Sequence, residues 1–160
     1  MNSLQSITPI DGRYGKQTQE LSNYFSEEAL IKNRILIEVH YILFLFKYKI
    51  FNFDLTGEEI NYILGIYTYY VPEHTERIKT IESTINHDVK AIEYFIKAKL
   101  DEFKTLKEKK ISTFVHLGLT SQDINSTANI LSIRESLKNV LVPKLHSIFN
   151  TILNLADKWK

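Results

Sequence analysis

Apolar residues recur at three- and four-residue steps along most of the chain, and only 5 Gly and 3 Pro interrupt its 160 residues. That period is what helices need in order to bury one stripe each, so the fold class read from the sequence is all-α. The first 25 residues depart from the pattern: Ser, Thr, Gln and Asn dominate, and Pro9-Ile10-Asp11-Gly12-Arg13-Tyr14-Gly15 has the make-up of a tight turn. This stretch reads as an ordered loop or a disordered leader.

Cap signals place the helices. Ser26 followed by Glu27 and Glu28 predicts a first helix running to about Lys49. Thr56 with Glu59 forms a capping box for a second, ending near Tyr70, and Pro72 suits the first position of a third, which carries Ile78, Ile81 and Ile85 toward a core. Asn86 is expected to cap a fourth helix, whose stripe is Val89, Ile92, Phe95, Ile96, Leu100 and Phe103. From Lys97 to Lys110 there are six Lys, which read as a solvated helix end and connector and give the expected division into an amino-terminal helical domain, 1–110, and the start of a helical bundle, 111–160. Thr120 and Asp123 have the spacing of a capped start to a long helix reaching about Val140. Pro143 then opens or kinks a last helix, in which Leu145, Ile148, Phe149, Ile152, Ala156 and Trp159 share a face. That helix meets no stop signal, which suggests a sequence cut within an element.

Composition narrows the chemistry. Lys and Arg total 20 against 19 Asp and Glu, a balance that removes the broad positive field of sequence-independent nucleic-acid binding. The most apolar stretch, Ile35 to Phe46, is too short and, with Glu38 and His40, too polar for a membrane span. No secretory signal opens the chain, and a cytoplasmic location is expected. Cysteine is absent, so chemistry must come from His, carboxylates, hydroxyls or amides. No His pair has metal-ligand spacing, and there is neither a Gly-rich phosphate loop nor a nucleophile elbow.

Three segments carry polar groups that helix packing does not require. Arg13 and Tyr14 put a permanent cation and a phenol on a turn, a geometry able to clamp a phosphate or carboxylate, although a plain surface loop reads the same way. Asn86, His87 and Asp88 stand at a helix start, where free N–H groups and the positive dipole end favour anions; His87 can bind an anion or move a proton, with Asp88 orienting it. A capping Asn and Asp beside a half-buried His is the bland alternative. Thr120 and Ser121 open another helix, which capping alone explains equally well. His116 can line a pocket near this third segment.

The residues are more specific than their physics. The run Thr8 to Tyr14 (TPIDGRY), the stretch 77–95 (RIKTIESTINHDVKAIEYF) and the stretch 116–125 (HLGLTSQDIN) together resemble the adenylosuccinate lyase family, most closely its bacterial-type branch within the fumarase/aspartase superfamily. The resemblance spans nearly the whole chain. It implies β-elimination without a cofactor: adenylosuccinate is split to AMP and fumarate, and SAICAR to AICAR and fumarate, in purine biosynthesis. It further implies that Arg13 and Tyr14 contact the nucleotide part of the substrate, that Asn86, His87 and Asp88 line the site, and that Thr120 and Ser121 bind the succinyl carboxylates. The family's proton-transfer groups, a His in a T-H-G-Q type motif and a Ser in an S-S-x-M-P-x-K type motif, are missing from these residues, so no catalytic residue is expected within this chain. Its implied partners are those small molecules and other copies of itself in a homotetramer. The alternative is a non-catalytic helical module for nucleotide binding or assembly.

Overall fold

The computed structural model describes residues 5–51 and 53–160; the first four residues of the stretch 1–25, read as a loop or leader, lie outside them. The described residues contain six helices of a dozen residues or more and no strand: α1 (Glu27–Lys47), α2 (Gly57–Thr68), α3 (Pro72–Ile85), α4 (Asp88–Glu102), α5 (Ser121–Ser136) and α6 (Val142–Lys158). None of them is long and apolar enough to cross a membrane. The chain divides into two compact units, Leu30–Asn129 and the combination of Met1–Ala29 with Ile130–Lys160.

In the first unit each helix gives one stripe to the core, those of α3 and α4 being the ones the sequence predicts. Ile31, Ile35, Val39, Ile42 and Phe46 of α1 pack with Ile63 and Ile66 of α2, Ile78 of α3, and Ala91, Ile92, Phe95, Ile96 and Leu100 of α4. Side chains cap the starts of α1 and α2. Ser26 Oγ accepts from Ala29 N–H at 3.2 Å before α1. Thr56 and Glu59 close a reciprocal box before α2, with bonds of 2.8 and 3.2 Å. Helix α1 ends without a glycine: Lys49, at φ 52°, lets Ile50 N–H reach Leu45 O at 3.1 Å and its own N–H reach Phe46 O at 3.0 Å.

The lysine-rich stretch is more than the expected solvated connector. Leu106 and Ile111 are fully buried within it, and they pull the short helix Lys104–Glu108 and the 3₁₀ turn Ile111–Phe114 onto the core. Lys109 Nζ lies 2.7 Å from Glu59 Oε2, and Thr105 Oγ1 donates to Glu59 Oε1 at 2.7 Å. Glu59 is only 2% exposed, and a carboxylate so enclosed has to be paired.

In the second unit, Pro143 breaks the regular ladder as expected. It has no N–H to give, and the helix widens into a π turn over Leu137–Leu141, where Val142 N–H bonds Leu137 O. Helix α6 follows with none of its residues buried. Leu145, Ile148, Phe149, Ile152 and Trp159 are each more than half exposed, an unpartnered apolar face of the kind that marks an interaction surface.

Glu59 generates a test of the first unit. Burial opposes its ionisation, but the Lys109 ammonium, Thr56 N–H and Thr105 hydroxyl outweigh it and hold the carboxyl at about 2, down from an ordinary 4.5. A depressed acid stabilises the fold fully above its unfolded value, and that contribution fades as pH falls toward the folded value. Denaturant titrations at about pH 7 and pH 2 are expected to show Glu59→Gln losing on the order of 3 kcal/mol less stability across this range than the parent. An unchanged pH dependence contradicts the assignment.

Candidate functional site

Helix α1 is apolar over most of its inner face, yet one stripe at i, i+4 and i+7 is polar: Arg34, Glu38 and Tyr41. All three reach segments that the sequence marks as chemical. Arg34, whose side chain is 7% exposed, donates from Nη2 to Asp88 Oδ2 at 2.7 Å and from Nε to Asn125 Oδ1 at 2.9 Å. Glu38 Oε1 lies 2.5 Å from His116 Nδ1. Tyr41 donates its hydroxyl proton to Leu117 O at 2.8 Å. One helix face therefore ties the start of α4 and the approach to α5 to the same scaffold.

At the start of α4 the roles of two residues differ from expectation. Asn86 does not cap α4; it ends α3 in the left-handed region, φ 52° and ψ 39°, with its N–H on Glu82 O. Asn tolerates that conformation better than most side chains. The cap is His87, whose Nδ1 accepts from Lys90 N–H at 3.1 Å. This has a chemical consequence, because a ring nitrogen that accepts has no proton of its own: the neutral ring carries it on Nε2 and offers a donor. Asp88 is also committed. Burial raises its carboxyl, but Val89 N–H and the Arg34 guanidinium prevail and hold it below the ordinary carboxylate range. Its charge is thereby offset by Arg34 where an anion would bind.

The approach to α5 is a bent loop. His116 and Gly118 both adopt positive φ, 62° and 73°, a conformation that comes easily to Gly and is uncommon for His. Leu119 N–H then bonds His116 O at 3.3 Å. Thr120 and Asp123 engage as their spacing predicts: Thr120 N–H and Oγ1 both donate to Asp123 Oδ2, at 2.7 and 2.8 Å. Those bonds, first from the backbone and then from the hydroxyl, lower the Asp123 carboxyl. Thr120 thus spends its hydroxyl on the cap. The Ser121 hydroxyl has no hydrogen-bond partner among the described residues and stands beside the free N–H groups that open α5.

Arg13 and Tyr14 lie in the other unit. The turn that carries them is ordered from within: Thr8 N–H and Oγ1 donate to Asp11 Oδ1 at 3.0 and 2.7 Å, Gly12 N–H reaches Thr8 O at 3.1 Å, and Tyr14 N–H reaches Pro9 O at 2.8 Å. The Thr8 bonds, led by the hydroxyl's, also lower the Asp11 carboxyl. The Arg13 side chain is exposed, with no ion pair among the described residues.

The structure thus brings together the second and third sequence candidates within one unit. It also adds Arg34, Glu38, Tyr41 and Asn125, which the sequence reading did not single out. Their signal was present: a carboxylate and an arginine one turn apart on the side of a helix that otherwise carries Ile35, Val39 and Ile42. Solvated charges would not share that face.

The His87 cap is open to a direct test. In denaturant titrations His87→Ala is expected to cost about 1 kcal/mol, while His87→Asn, which keeps a capping oxygen, stays within about 0.5 kcal/mol of the parent. Equal losses would mean that the side chain is not the cap.

Comparison with known proteins adds an independent line. The family model described as lyase matches residues 12–160. Among curated proteins, the chain is 44% identical over 164 residues to adenylosuccinate lyase of Dictyostelium discoideum, with all of this chain and 35% of that protein covered. The same coverage holds for adenylosuccinate lyase of Escherichia coli K12, at 35% identity over 162 residues. It holds too for that of Buchnera aphidicola from Acyrthosiphon pisum, at 37% over 164. The chain therefore spans about a third of the length of the curated relatives it matches.

Proposed function

This chain belongs to the lyase family, and on that premise we propose that it serves the β-elimination of fumarate from adenylosuccinate and from SAICAR, as part of a cytoplasmic homotetramer acting in purine biosynthesis. The substrates carry one phosphate and two succinyl carboxylates, so a site for them must gather cations and N–H donors. The observation that carries the reading is the Arg34 bridge. By bonding both Asp88 and Asn125, it supports a site in which two helix starts face one polyanion.

The geometry sharpens the roles. In this reading Arg13 and Tyr14 take the nucleotide and its phosphate. His87 donates from Nε2, Asn86 and Asp88 shape the wall beside it, and Ser121 and the α5 N–H groups take a succinyl carboxylate. Thr120 contributes through its cap, with its hydroxyl held by Asp123. Elimination further needs a base for the Cβ proton and an acid for the departing nitrogen. Those groups come from the two thirds of the relatives' length that this chain does not span. Residues 1–110 then form an amino-terminal domain and residues 111–160 the first part of a central bundle, whose remaining helices cover the apolar face of α6.

Two measurements test the proposal. The full-length protein is expected to convert adenylosuccinate to AMP and fumarate, with His87→Asn lowering kcat/KM at least tenfold while the fold is kept; the 160 residues alone are expected to show no turnover. Arg13→Ala is expected to weaken AMP binding about tenfold in calorimetry, the scale of one charge-assisted contact. Nucleotide binding by a full-length protein without lyase activity would favour the non-catalytic alternative.

A further inference from the structure

Glu38 is the most enclosed charge-bearing side chain of α1, with none of its surface exposed. Its Oε1 faces His116 Nδ1, while Oε2 is buried without a hydrogen-bond partner among the described residues. Burying a carboxyl with one oxygen unmet is expensive, and the neighbouring Ile35, Val39 and Ile42 show that the core would accept an apolar residue there. A packing role does not account for it.

His116 is equally constrained. Its backbone sits at φ 62°, and non-Gly residues held in that region cluster at functional sites. Its Nε2 is 3.9 Å from Glu93 Oε1, too far for a hydrogen bond. Glu93 itself is already engaged by Lys90 at 2.8 Å and Lys97 at 3.7 Å. Of the two ring nitrogens, only Nδ1 has a partner at bonding distance, and the ring is not sealed off, with 12% of it exposed.

We propose that Glu38 is a positioning residue of the elimination site: its carboxylate accepts the hydrogen bond of His116 Nδ1–H, fixes the ring on the bent 116–119 loop, and leaves Nε2–H of the charged ring as the donor available to an anionic ligand. The inference rests on the lyase reading for what the site binds, and on geometry alone for the pairing. The remaining charges around the pair are consistent with it. Arg34, one turn away on α1, is engaged by Asp88; Glu93 on α4 is offset by Lys90 and Lys97; and Asp123, at the start of α5, is held by Thr120. Glu38 is thus the carboxylate left for the ring. Burial raises the Glu38 carboxyl, and the His116 contact works against that rise.

The test uses the full-length protein and a double-mutant cycle of Glu38→Gln and His116→Gln, with kcat and KM for adenylosuccinate and the rate of His116 carbethoxylation by diethyl pyrocarbonate at pH 7, read by peptide mass spectrometry. Glu38→Gln is expected to lower kcat/KM at least tenfold in the parent and less than twofold in the His116→Gln background. It is also expected to speed modification of His116 several-fold, because the neutral ring is the reactive form. Multiplicative losses of kcat/KM, or an unchanged modification rate in a folded variant, overturn the proposal. If Glu38→Gln does not fold, Glu38→Asp, which keeps the charge but draws it back by one methylene, must show the same dependence on His116. A parent protein that never cleaves adenylosuccinate, yet shows the faster modification in Glu38→Gln, removes the lyase reading and leaves the Glu38–His116 pairing standing.

Discussion

A buried guanidinium has to be satisfied on several sides, and Arg34 meets that demand by holding two separate helix starts. Removing one partner from such a pair leaves an uncompensated charge, a penalty of about 3–5 kcal/mol in comparable cases. The arrangement is therefore self-enforcing. Asp88 and Asn125 must stay near Arg34, and with them stay His87 on one side and Ser121 on the other. Glu38 and Tyr41 extend the same logic along α1, pinning His116 and the Leu117 carbonyl.

The consequence is a division of labour between groups that hold the scaffold and groups left over for a ligand. Asp88, Thr120, Asp123 and Asn125 each have a side-chain polar atom committed internally. Among the described residues, His87 Nε2, the Ser121 hydroxyl and the first two N–H groups of α5 are not. That remainder is rich in donors, which suits an anion far better than a cationic or apolar ligand. The electrostatic balance of the whole chain, close to neutral, is compatible with local anion sites because each is built from dipoles and single cations rather than from net charge.

Much of this was legible in the sequence. The box of Thr56 and Glu59, Pro72 at a helix start, the stripe of α4 and the break at Pro143 follow local rules that tertiary packing did not override. One reading did not survive and another was incomplete. Asn86 and His87 are adjacent and can both cap; the left-handed exit from α3 claims Asn86, so the cap falls to His87. The lysines between 97 and 110 do reach solvent, but Leu106 among them and Ile111 just after are buried and decide where the backbone goes. The stripe of Arg34, Glu38 and Tyr41 was missed for a related reason. Periodicity reports which residues share a face, and it cannot tell which distant segment that face will meet.

In the proposed site both helix starts answer to one ligand because Arg34 couples them, and amide hydrogen exchange on the full-length protein tests that coupling most directly. With adenylosuccinate present, the amides of residues 88–90 and 121–123 are expected to gain protection together in the parent, and to lose that joint response in a folded Arg34→Met variant. Protection at one helix start alone, or an unaltered response in the variant, would contradict the account.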